Sequence, residues 1–293
     1  MLEENLKKMK THAILVDSEK TYKEKDMKKD NLQELLQKAE AGDVDSQLGL
    51  GLLYRLGLGV EEDVSTAEKW FSKAAEQGSL HAMYLLGNLN AERENYLKAA
   101  ELFYEAAEQG HEEAQFNLGA LYYDGKGVRR DYAAAAKWYR KAAEQGVVAA
   151  QVNLGCQYSD GLGVDEDLEE ACKWFGKAAE QGYAPGQFNL GLMYSRGDGV
   201  KQSDTKAEKL FRQAASQGYA EAQHHLGMIY LAGSGVRQDI EQAYFWFLNA
   251  ERNGHEEATE YKDMAGLKLS QEQKDKIIRK ANQWTEDGPA APQ

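Results

Sequence analysis

The chain has 293 residues, of which 42% are hydrophobic and 28% are charged, and 35 Lys and Arg residues stand against 48 Asp and Glu residues. This composition is typical of a folded protein of one or two domains, and the net charge of −13 argues against nucleic acid as the main partner, because phosphate binding needs a basic surface. No apolar run approaches the length of a membrane span, and two cysteines cannot form a disulfide framework, so we expect a cytoplasmic chain in a reducing compartment.

The first 30 residues form a leader that is rich in Lys, Asp and Glu, and we expect it to be largely disordered. Its apolar run at residues 13–16 is too short for the core of a signal peptide. Residues 32–41 then have the pattern of a single helix that forms an N-terminal cap. The acidity belongs to residues 31–293, which hold 27 basic and 41 acidic residues.

From residue 50 onward the sequence repeats itself, with steps of 36, 32, 36, 36 and 36 residues between successive Leu-Gly pairs. A Gly-x-Gly-Val loop recurs in phase with these pairs, except in the second repeat, where residues 90–95 replace it and four positions are lost. A fixed period of this length is the signature of a stacked repeat protein. The Leu-Gly pairs begin at Leu50, Leu86, Leu118, Leu154, Leu190 and Leu226.

Each repeat is predicted to contain two helices. In the third repeat, the apolar residues of 111–123 fall on one helical face, and the glycine loop at 125–128 ends that helix. Asp131 is predicted to be the N-cap of the second helix, and Gly146 is predicted to follow that helix in the left-handed conformation. The residues equivalent to Asp131 are Asp63, Asp167, Ser203 and Asp239.

The glycine of each Leu-Gly pair lies inside a helix, where glycine costs about 0.5–1 kcal/mol relative to alanine. We expect close packing against the second helix to offset this cost. The alanine at the opposed position is predicted to face the glycine, and the aromatic residue four positions later is predicted to lie between neighbouring hairpins. These alanines are Ala67, Ala99, Ala135, Ala171, Ala207 and Ala243, and the aromatic residues are Phe71, Phe103, Tyr139, Phe175, Phe211 and Phe247.

The C-terminal end is predicted to be closed by a capping helix. Residues 255–262 begin like another first helix but lack the Leu-Gly pair. Residues 270–273 have the pattern of a capping box, and the helix that they open, about 270–284, places Ile277, Ala281 and Trp284 on one face. The predicted organisation is therefore an all-α solenoid over residues 31–286 with six repeats and terminal capping helices, followed by a disordered tail at 287–293.

The motif Ala-Gln-Phe-Asn-Leu-Gly-x-Leu-Tyr-x-x-Gly-x-Gly-Val, at 114–128, and Ala-x-Lys-Trp-Tyr-x-Lys-Ala-Ala-Glu-Gln-Gly, at 135–146, resemble the Sel1-like repeat, a branch of the tetratricopeptide-like superfamily. The resemblance covers about residues 32–261. It implies a right-handed superhelix of α-helical hairpins that acts as an adaptor in protein complexes. Some relatives are cysteine-rich with a disulfide in each repeat, a pattern that this chain lacks.

No residue pattern predicts catalysis, a metal or a cofactor. The segment His111-Glu112-Glu113 resembles part of a zinc-protease helix, as does 255–257, but neither has the second histidine. The glycine loops lack the Lys-Ser/Thr ending of a phosphate-binding loop. Cys156 and Cys172 fall across one predicted hairpin, and we interpret them as two small buried residues, with a redox-sensitive pair as the alternative.

The candidate site follows from the resemblance, because the first helices of tetratricopeptide-like stacks line the concave face. The residue before the Leu-Gly pair is asparagine in three successive repeats, and an amide can donate to and accept from a peptide bond. The alternative is that these asparagines bridge neighbouring helices. The predicted binding residues are Asn117, Asn153, Asn189 and His225, with Tyr123, Ser159, Ser195 and Arg196 supplying selectivity.

These observations predict a non-enzymatic scaffold that binds a protein or peptide in its concave groove, and the acidic repeats favour a partner with a basic segment. One alternative is a hydrolase of cell-wall or β-lactam-type amides, by analogy with cysteine-rich relatives. Another is an assembly role through the charged leader, residues 1–30. The oligomeric state does not follow from the sequence.

Overall fold

The computed structural model of the chain describes residues 29–286, and all regular structure in this range is α-helical. The all-α solenoid class predicted from the repeat is confirmed. None of the helices in the described range is long and apolar enough to cross a bilayer. The helices are α1 (Lys29–Glu40), α2 (Val44–Leu56), α3 (Val64–Glu76), α4 (Leu80–Glu92), α5 (Tyr96–Glu108), α6 (Glu112–Asp124), α7 (Tyr132–Glu144), α8 (Val148–Asp160), α9 (Leu168–Glu180), α10 (Ala184–Arg196), α11 (Asp204–Ser216), α12 (Ala220–Ala232), α13 (Ile240–Arg252), α14 (Ala258–Gly266) and α15 (Gln271–Glu286).

The described residues divide into two compact units, the first ending at Arg130 and the second beginning at Asp131. In the first unit each helix from α1 to α6 packs against the next one in the chain. In the second unit the helices from α7 to α14 pack in the same way, and α15 closes the end by packing on α13. Each unit is therefore a stack of helices in which every element is buried against its sequence neighbours, as expected for a repeat array.

The predicted helix caps are confirmed. The side chains of Asp63, Asp131, Asp167, Asp239 and Ser203 each accept a hydrogen bond from the backbone N–H three residues later. These bonds satisfy donors that a helix end leaves without an intrahelical partner. After the second helices the chain reverses at glycines with φ between 79° and 100°, including Gly146. The left-handed conformation ends these helices as the sequence indicated.

The helix-interior glycines face an aromatic ring, which corrects the predicted glycine–alanine contact. A Cβ atom added at Gly51 would lie 2.3 Å from the ring of Phe71, and one added at Gly227 would lie 2.4 Å from the ring of Phe247. The residue that faces the glycine therefore lies one helical turn beyond the predicted one, because the aromatic residue follows the alanine by four positions. Each of these glycines is kept small by the ring of the second helix in its own hairpin.

Buried glutamines join consecutive hairpins in a way that the sequence patterns did not predict. The side chain of Gln47 donates to the carbonyl of Ala39 at 3.0 Å and accepts from Gln77 at 2.8 Å. Gln223 makes the same pair of bonds, to Ala215 and from Asn253. The position recurs at Gln115, Gln151 and Gln187, all buried, whereas the second repeat has Met83 there.

The Gly-x-Gly-Val loops also join hairpins. A Cβ atom added at Gly127, the second glycine of its loop, would lie 2.2 Å from the backbone carbonyl carbon of Tyr96. A Cβ atom added at Gly163, the equivalent glycine of the next repeat, would lie 2.2 Å from the backbone carbonyl carbon of Tyr132. In both cases the loop rests on the first turn of the second helix in the preceding repeat. The loops are therefore packing elements as well as turns.

The second repeat replaces its loop with a tight turn and two ion pairs. Glu94 takes a left-handed conformation with φ of 61°, and the N–H of Asn95 donates to the carbonyl of Asn90 at 2.8 Å. Arg93 then pairs with Glu68 of α3 at 2.7 Å, while Arg55 of α2 pairs with Glu92 of α4 at 3.0 Å. Charged contacts thus connect the two hairpins where the other repeats use the glycine loop.

The C-terminal cap matches the sequence except at one boundary. The backbone N–H of Ser270 donates to the side chain of Gln273, and the N–H of Gln273 donates to the Ser270 hydroxyl, which confirms the capping box. Of the three residues predicted to share one face, Ile277 and Ala281 are buried and Trp284 is partly buried. Helix α14, however, begins at Ala258 rather than 255. The predicted leader and tail lie almost entirely outside the described residues.

Candidate functional site

The predicted binding residues of the second unit lie in register on neighbouring first helices. Asn153, Asn189 and His225 occupy the same position of α8, α10 and α12, and all three are half-buried. Helix α8 contacts α10 directly as well as through the second helix between them. Ser159 and Ser195 lie near the ends of α8 and α10, where both are partly exposed, and Arg196 is exposed at the last residue of α10.

The two asparagines of this row differ from the histidine in what they contact. The side-chain amides of Asn153 and Asn189 have no hydrogen-bonding partner among the described residues. The ring of His225 instead packs 5.0 Å from that of Phe188 and 5.5 Å from that of Phe211, and its Nδ1 lies 3.0 Å from the Glu221 carbonyl oxygen. Burial lowers the pKa of His225. The asparagines therefore keep their hydrogen-bonding capacity, whereas the histidine is held by packing.

Asn117, in the first unit, makes the bridge that the alternative interpretation expected. Its Nδ2 donates to Oδ1 of Asn88 at 2.9 Å, which links the first helices α6 and α4. Tyr123, at the end of the same helix, is half-buried. Asn117 is thus partnered within the fold, unlike its equivalents in the second unit.

The first unit contains a cleft that the sequence patterns did not predict. It has a volume of about 240 Å³ and lies among α2, α3, α4, α5 and α6. Its surface is mostly apolar, with the Asn88–Asn117 pair on one wall. The lining includes Leu52, Phe71, Tyr84, Leu89, Phe103, Ala120 and Leu121.

The rim of the cleft carries paired charges. Arg55 lies between Glu92, at 3.0 Å, and Glu62, at 3.3 Å. On the other side Lys126 pairs with Asp124 at 3.1 Å. Residues 91, 92 and 96 of the lining flank the shortened turn of the second repeat. The absence of the glycine loop in the second repeat was therefore the feature of the sequence that could have indicated the cleft.

Two histidines meet beside the cleft. His111 caps α6, since its Nδ1 accepts from the N–H of Ala114 at 3.3 Å. A nitrogen that accepts carries no proton, so the neutral ring holds its proton on Nε2, which lies 3.4 Å from Nδ1 of His81. Burial, with the neighbouring His81, lowers the pKa of His111 to about 4. Burial also lowers the pKa of His81, so both rings are neutral near pH 7.

A second histidine pair lies near the C-terminal end. The rings of His224 and His255 stack with their centroids 4.1 Å apart, and burial with the two neighbouring histidines lowers the pKa of His224 to about 4. The segments 111–113 and 255–257 each lack a second histidine, and the sequence patterns did not predict these two pairs. Even so, no group of three or more metal-ligating side chains is assembled within residues 29–286.

The cysteines are free thiols in an apolar setting. Cys172 donates from Sγ to the carbonyl oxygen of Asp198 at 3.3 Å. Burial raises the pKa of Cys156 to about 11 and also raises that of Cys172. Since the thiolate is the reactive form, neither sulfur is activated as a nucleophile.

Comparisons with known proteins agree with the repeat architecture. A family model described as the Sel1 repeat matches six consecutive segments, which confirms the predicted number of repeats. The matched residues are 44–79, 80–111, 112–147, 148–183, 184–219 and 220–255.

Two solved structures are similar over most of the chain. One is a protective antigen present in uropathogenic Escherichia coli strains, displaying an SLR fold, with 37% identity and a TM-score of 0.82 over 88% of this chain and 56% of the antigen. The other is a Sel1 repeat protein from Oxalobacter formigenes, with 30% identity and a TM-score of 0.67 over 80% of this chain and 96% of that protein.

A curated plant protein shares a shorter stretch. The HRD3B component of an ERAD-associated E3 ubiquitin-protein ligase from Arabidopsis thaliana is 35% identical over 102 residues, which is 34% of this chain. The chain spans only 17% of the length of that relative.

Proposed function

The chain belongs to the Sel1 repeat family, and from this premise we propose that it is a non-enzymatic scaffold that binds a protein or peptide along the first helices of its repeats. Sel1 repeat proteins generally mediate protein–protein interactions. The plant relative is a component of an E3 ubiquitin-protein ligase, that is, of an assembly of proteins. A scaffold role is consistent with both.

The observation that carries the proposal is the pair of amides at Asn153 and Asn189. They repeat at the same position of adjacent first helices, are partly exposed, and have no hydrogen-bonding partner among the described residues. An amide presents both a donor and an acceptor, and the backbone of an extended peptide offers the complementary groups. Two such groups in register bind a peptide backbone irrespective of its side chains.

The charge of the repeats favours a basic segment in the partner. Residues 31–293 hold 27 basic and 41 acidic residues, so the surface attracts positive charge over distances of about one Debye length, ~8–10 Å at moderate salt. Ser159, Ser195 and Arg196 lie on the same helices as the asparagines. The two hydroxyls are available to hydrogen-bond a partner's side chains, and Arg196 disfavours a basic residue beside it, so these three groups supply selectivity.

The test begins with a photo-reactive amino acid placed at Ser195, which cross-links the partner in the native cell and identifies it by mass spectrometry. The purified partner is then titrated against the parent chain and against the double variant Asn153→Ala/Asn189→Ala. We expect affinity to fall at least about tenfold, because buried interface hydrogen bonds of this kind lie at the centre of the contact.

Two measurements separate binding from folding. The melting temperature of the double variant is expected to stay within about 2 °C of the parent, since the amides have no partner among the described residues. Gln213→Ala, an exposed amide on the second helix α11, is the matched control and should leave affinity unchanged. Unchanged affinity in the double variant would show that the asparagines do not bind the partner, and a loss of stability that parallels the loss of affinity would show that they are structural.

A further inference from the structure

The cleft of the first unit is a concave, largely apolar cavity with aromatic rings in its wall, and the packing of the repeats does not account for it. Five of the six repeats carry the glycine loop, and the second repeat does not. Ala91, Glu92 and Tyr96, beside the shortened turn, line the cleft together with the helices. Its origin is therefore specific to this repeat.

The size of the cleft decides what class of ligand fits. Small-molecule sites span ~300–1,000 Å³, whereas this cleft has about 240 Å³. That volume suits one large apolar side chain. Aromatic and aliphatic walls that include Phe71, Phe103 and Leu89 match such a side chain, and the polar pair in the wall, Asn88–Asn117, is already hydrogen-bonded.

The rim adds a charge preference. Glu62 and Glu92 both pair with Arg55, and their side chains are 59% and 43% exposed against 24% for the arginine. The opposite rim is balanced, because Asp124 pairs with Lys126. Arg55 and Glu92 line the cleft, and Glu62 pairs with the same arginine from outside the lining, so the three groups together carry one excess negative charge on this side.

We propose that the cleft binds an extended peptide segment of a partner protein through one large apolar side chain, with a lysine or arginine of the same segment pairing with Glu62 and Glu92. This rests on the proposed function, of which it specifies the partner. A desolvated pocket that takes one anchor residue is the usual centre of a peptide interface. The neighbouring basic residue then pairs at the rim, where it sets orientation and the rate of association.

A cleft-filling variant tests the anchor. Ala120 lines the cleft at the position that follows the helix-interior glycine, and the equivalent residues of other repeats are Leu52 and Leu192. Ala120→Leu therefore places in the cleft a side chain that the repeat backbone already carries elsewhere. Ala232→Leu, which adds the same side chain to an exposed site at the end of α12, is the matched control.

The probe is a phage-displayed library of random 12-residue peptides, selected on the full chain and counter-selected on an unrelated protein. We expect enriched peptides to share a large apolar residue within about two positions of Lys or Arg. For a synthetic copy of the strongest binder, Ala120→Leu should raise Kd at least about tenfold and Ala232→Leu less than about twofold. Glu62→Gln should raise Kd about two- to fivefold, as for a rim ion pair.

The reverse change in the peptide guards against a folding defect in the variant. Replacing the apolar residue of the peptide by alanine should abolish binding to the parent chain and should cost little against Ala120→Leu, because the pocket is already filled there. Enriched peptides without a large apolar residue, or equal binding to Ala120→Leu and to the parent, would overturn the proposal, and so would a library that yields no enrichment.

The same peptides distinguish this proposal from the broader one. Peptides that bind Ala120→Leu normally but lose affinity for Asn153→Ala/Asn189→Ala would place recognition in the second unit and leave the scaffold function standing. The absence of any partner cross-linked from Ser195, together with a library that yields no enrichment, would remove the scaffold function itself.

Discussion

At the scale of single residues, His111 shows how one side chain ties local structure to pH. Its Nδ1 accepts the hydrogen bond that caps α6, and its Nε2 faces Nδ1 of His81 at 3.4 Å. Protonation of the ring would convert Nδ1 from an acceptor into a donor that faces Oε2 of Glu113 at 3.3 Å, so the cap and the charge are incompatible. Burial and the neighbouring histidine lower the pKa of His111 to about 4, which keeps the ring in the neutral form that the cap requires.

We therefore expect the chain to lose stability as the pH falls from 6.5 toward 4. The pKa of His111 is below its unfolded value of about 6.5, as is that of His224, so the unfolded state binds protons more readily in this window. Each histidine contributes a loss of up to about 1.4 kcal/mol per pH unit, and above about pH 7 neither contributes. Melting temperatures measured between pH 7.5 and 4 would show the decline.

His111→Asn separates this effect from general acid unfolding. Asparagine is a good N-cap and does not titrate, so the variant should keep its stability at pH 7.5 and show a shallower decline below pH 6.5. An identical pH profile in the variant and the parent would assign the acid sensitivity to other groups.

At the scale of structural elements, the loops explain why glycine recurs where it does. Gly163 has φ of 76°, and a Cβ atom there would lie 2.2 Å from the carbonyl carbon of Tyr132 in the preceding repeat. Gly59 occupies the same loop position of the first repeat with φ of 73°, but no atom of the described residues lies within 4 Å of the added Cβ. The two glycines share a backbone conformation and differ in whether a neighbouring helix lies against them.

This difference predicts unequal effects for the same substitution. Gly59→Ala should lower the free energy of unfolding by about 1–2 kcal/mol, the cost of a left-handed alanine. Gly163→Ala should cost at least about 1 kcal/mol more, because the methyl group also separates the loop from α7. Urea denaturation of both variants measures the difference. Equal losses would mean that the loop contact contributes nothing beyond the turn.

The elements show which features a sequence reveals. The N-caps at Asp63 and Asp131 and the left-handed Gly146 were predictable, because each depends on a few adjacent residues. The partner of Gly51 was not, since the register between two helices places Phe71, rather than the alanine one turn earlier, over the glycine. Local chemistry can be read along the chain, whereas contacts across helices depend on side-chain packing.

The candidate site, too, was predictable from the sequence only in part. The repeat placed Asn153 and Asn189 in equivalent positions of successive first helices, as the structure shows. A bridge from Asn117 to a neighbouring helix was one of the two interpretations, but its acceptor Asn88 was not predictable, because asparagine occurs at that position only in the irregular second repeat. The cleft beside it lies where the second repeat lacks the glycine loop. A periodic pattern predicts the features that all repeats share, and it does not predict what the loss of a loop in one repeat does to the structure.

At the scale of the whole molecule, the dominant property is the excess of acidic over basic residues, 48 against 35. Such an excess does not define the fold, but it governs how charged partners approach. The amino-acid composition reveals this property in full. The composition leaves open where on the surface this charge acts, and the proposal for the cleft assigns part of that role to Glu62 and Glu92.

We expect salt to slow association with a basic peptide more than it speeds dissociation. Raising NaCl from about 50 to 300 mM shortens the Debye length from roughly 14 to 6 Å, which removes long-range attraction and leaves the apolar anchor in place. Surface plasmon resonance with the selected peptide should show the association rate falling about tenfold and the dissociation rate changing less than about threefold. A peptide whose Lys or Arg is replaced by Gln should start with the slower association rate and respond weakly to salt. An association rate that is indifferent to salt would mean that the acidic surface plays no part in recognition, and a dissociation rate that rises steeply would mean that the ion pair, rather than the apolar side chain, holds the complex together.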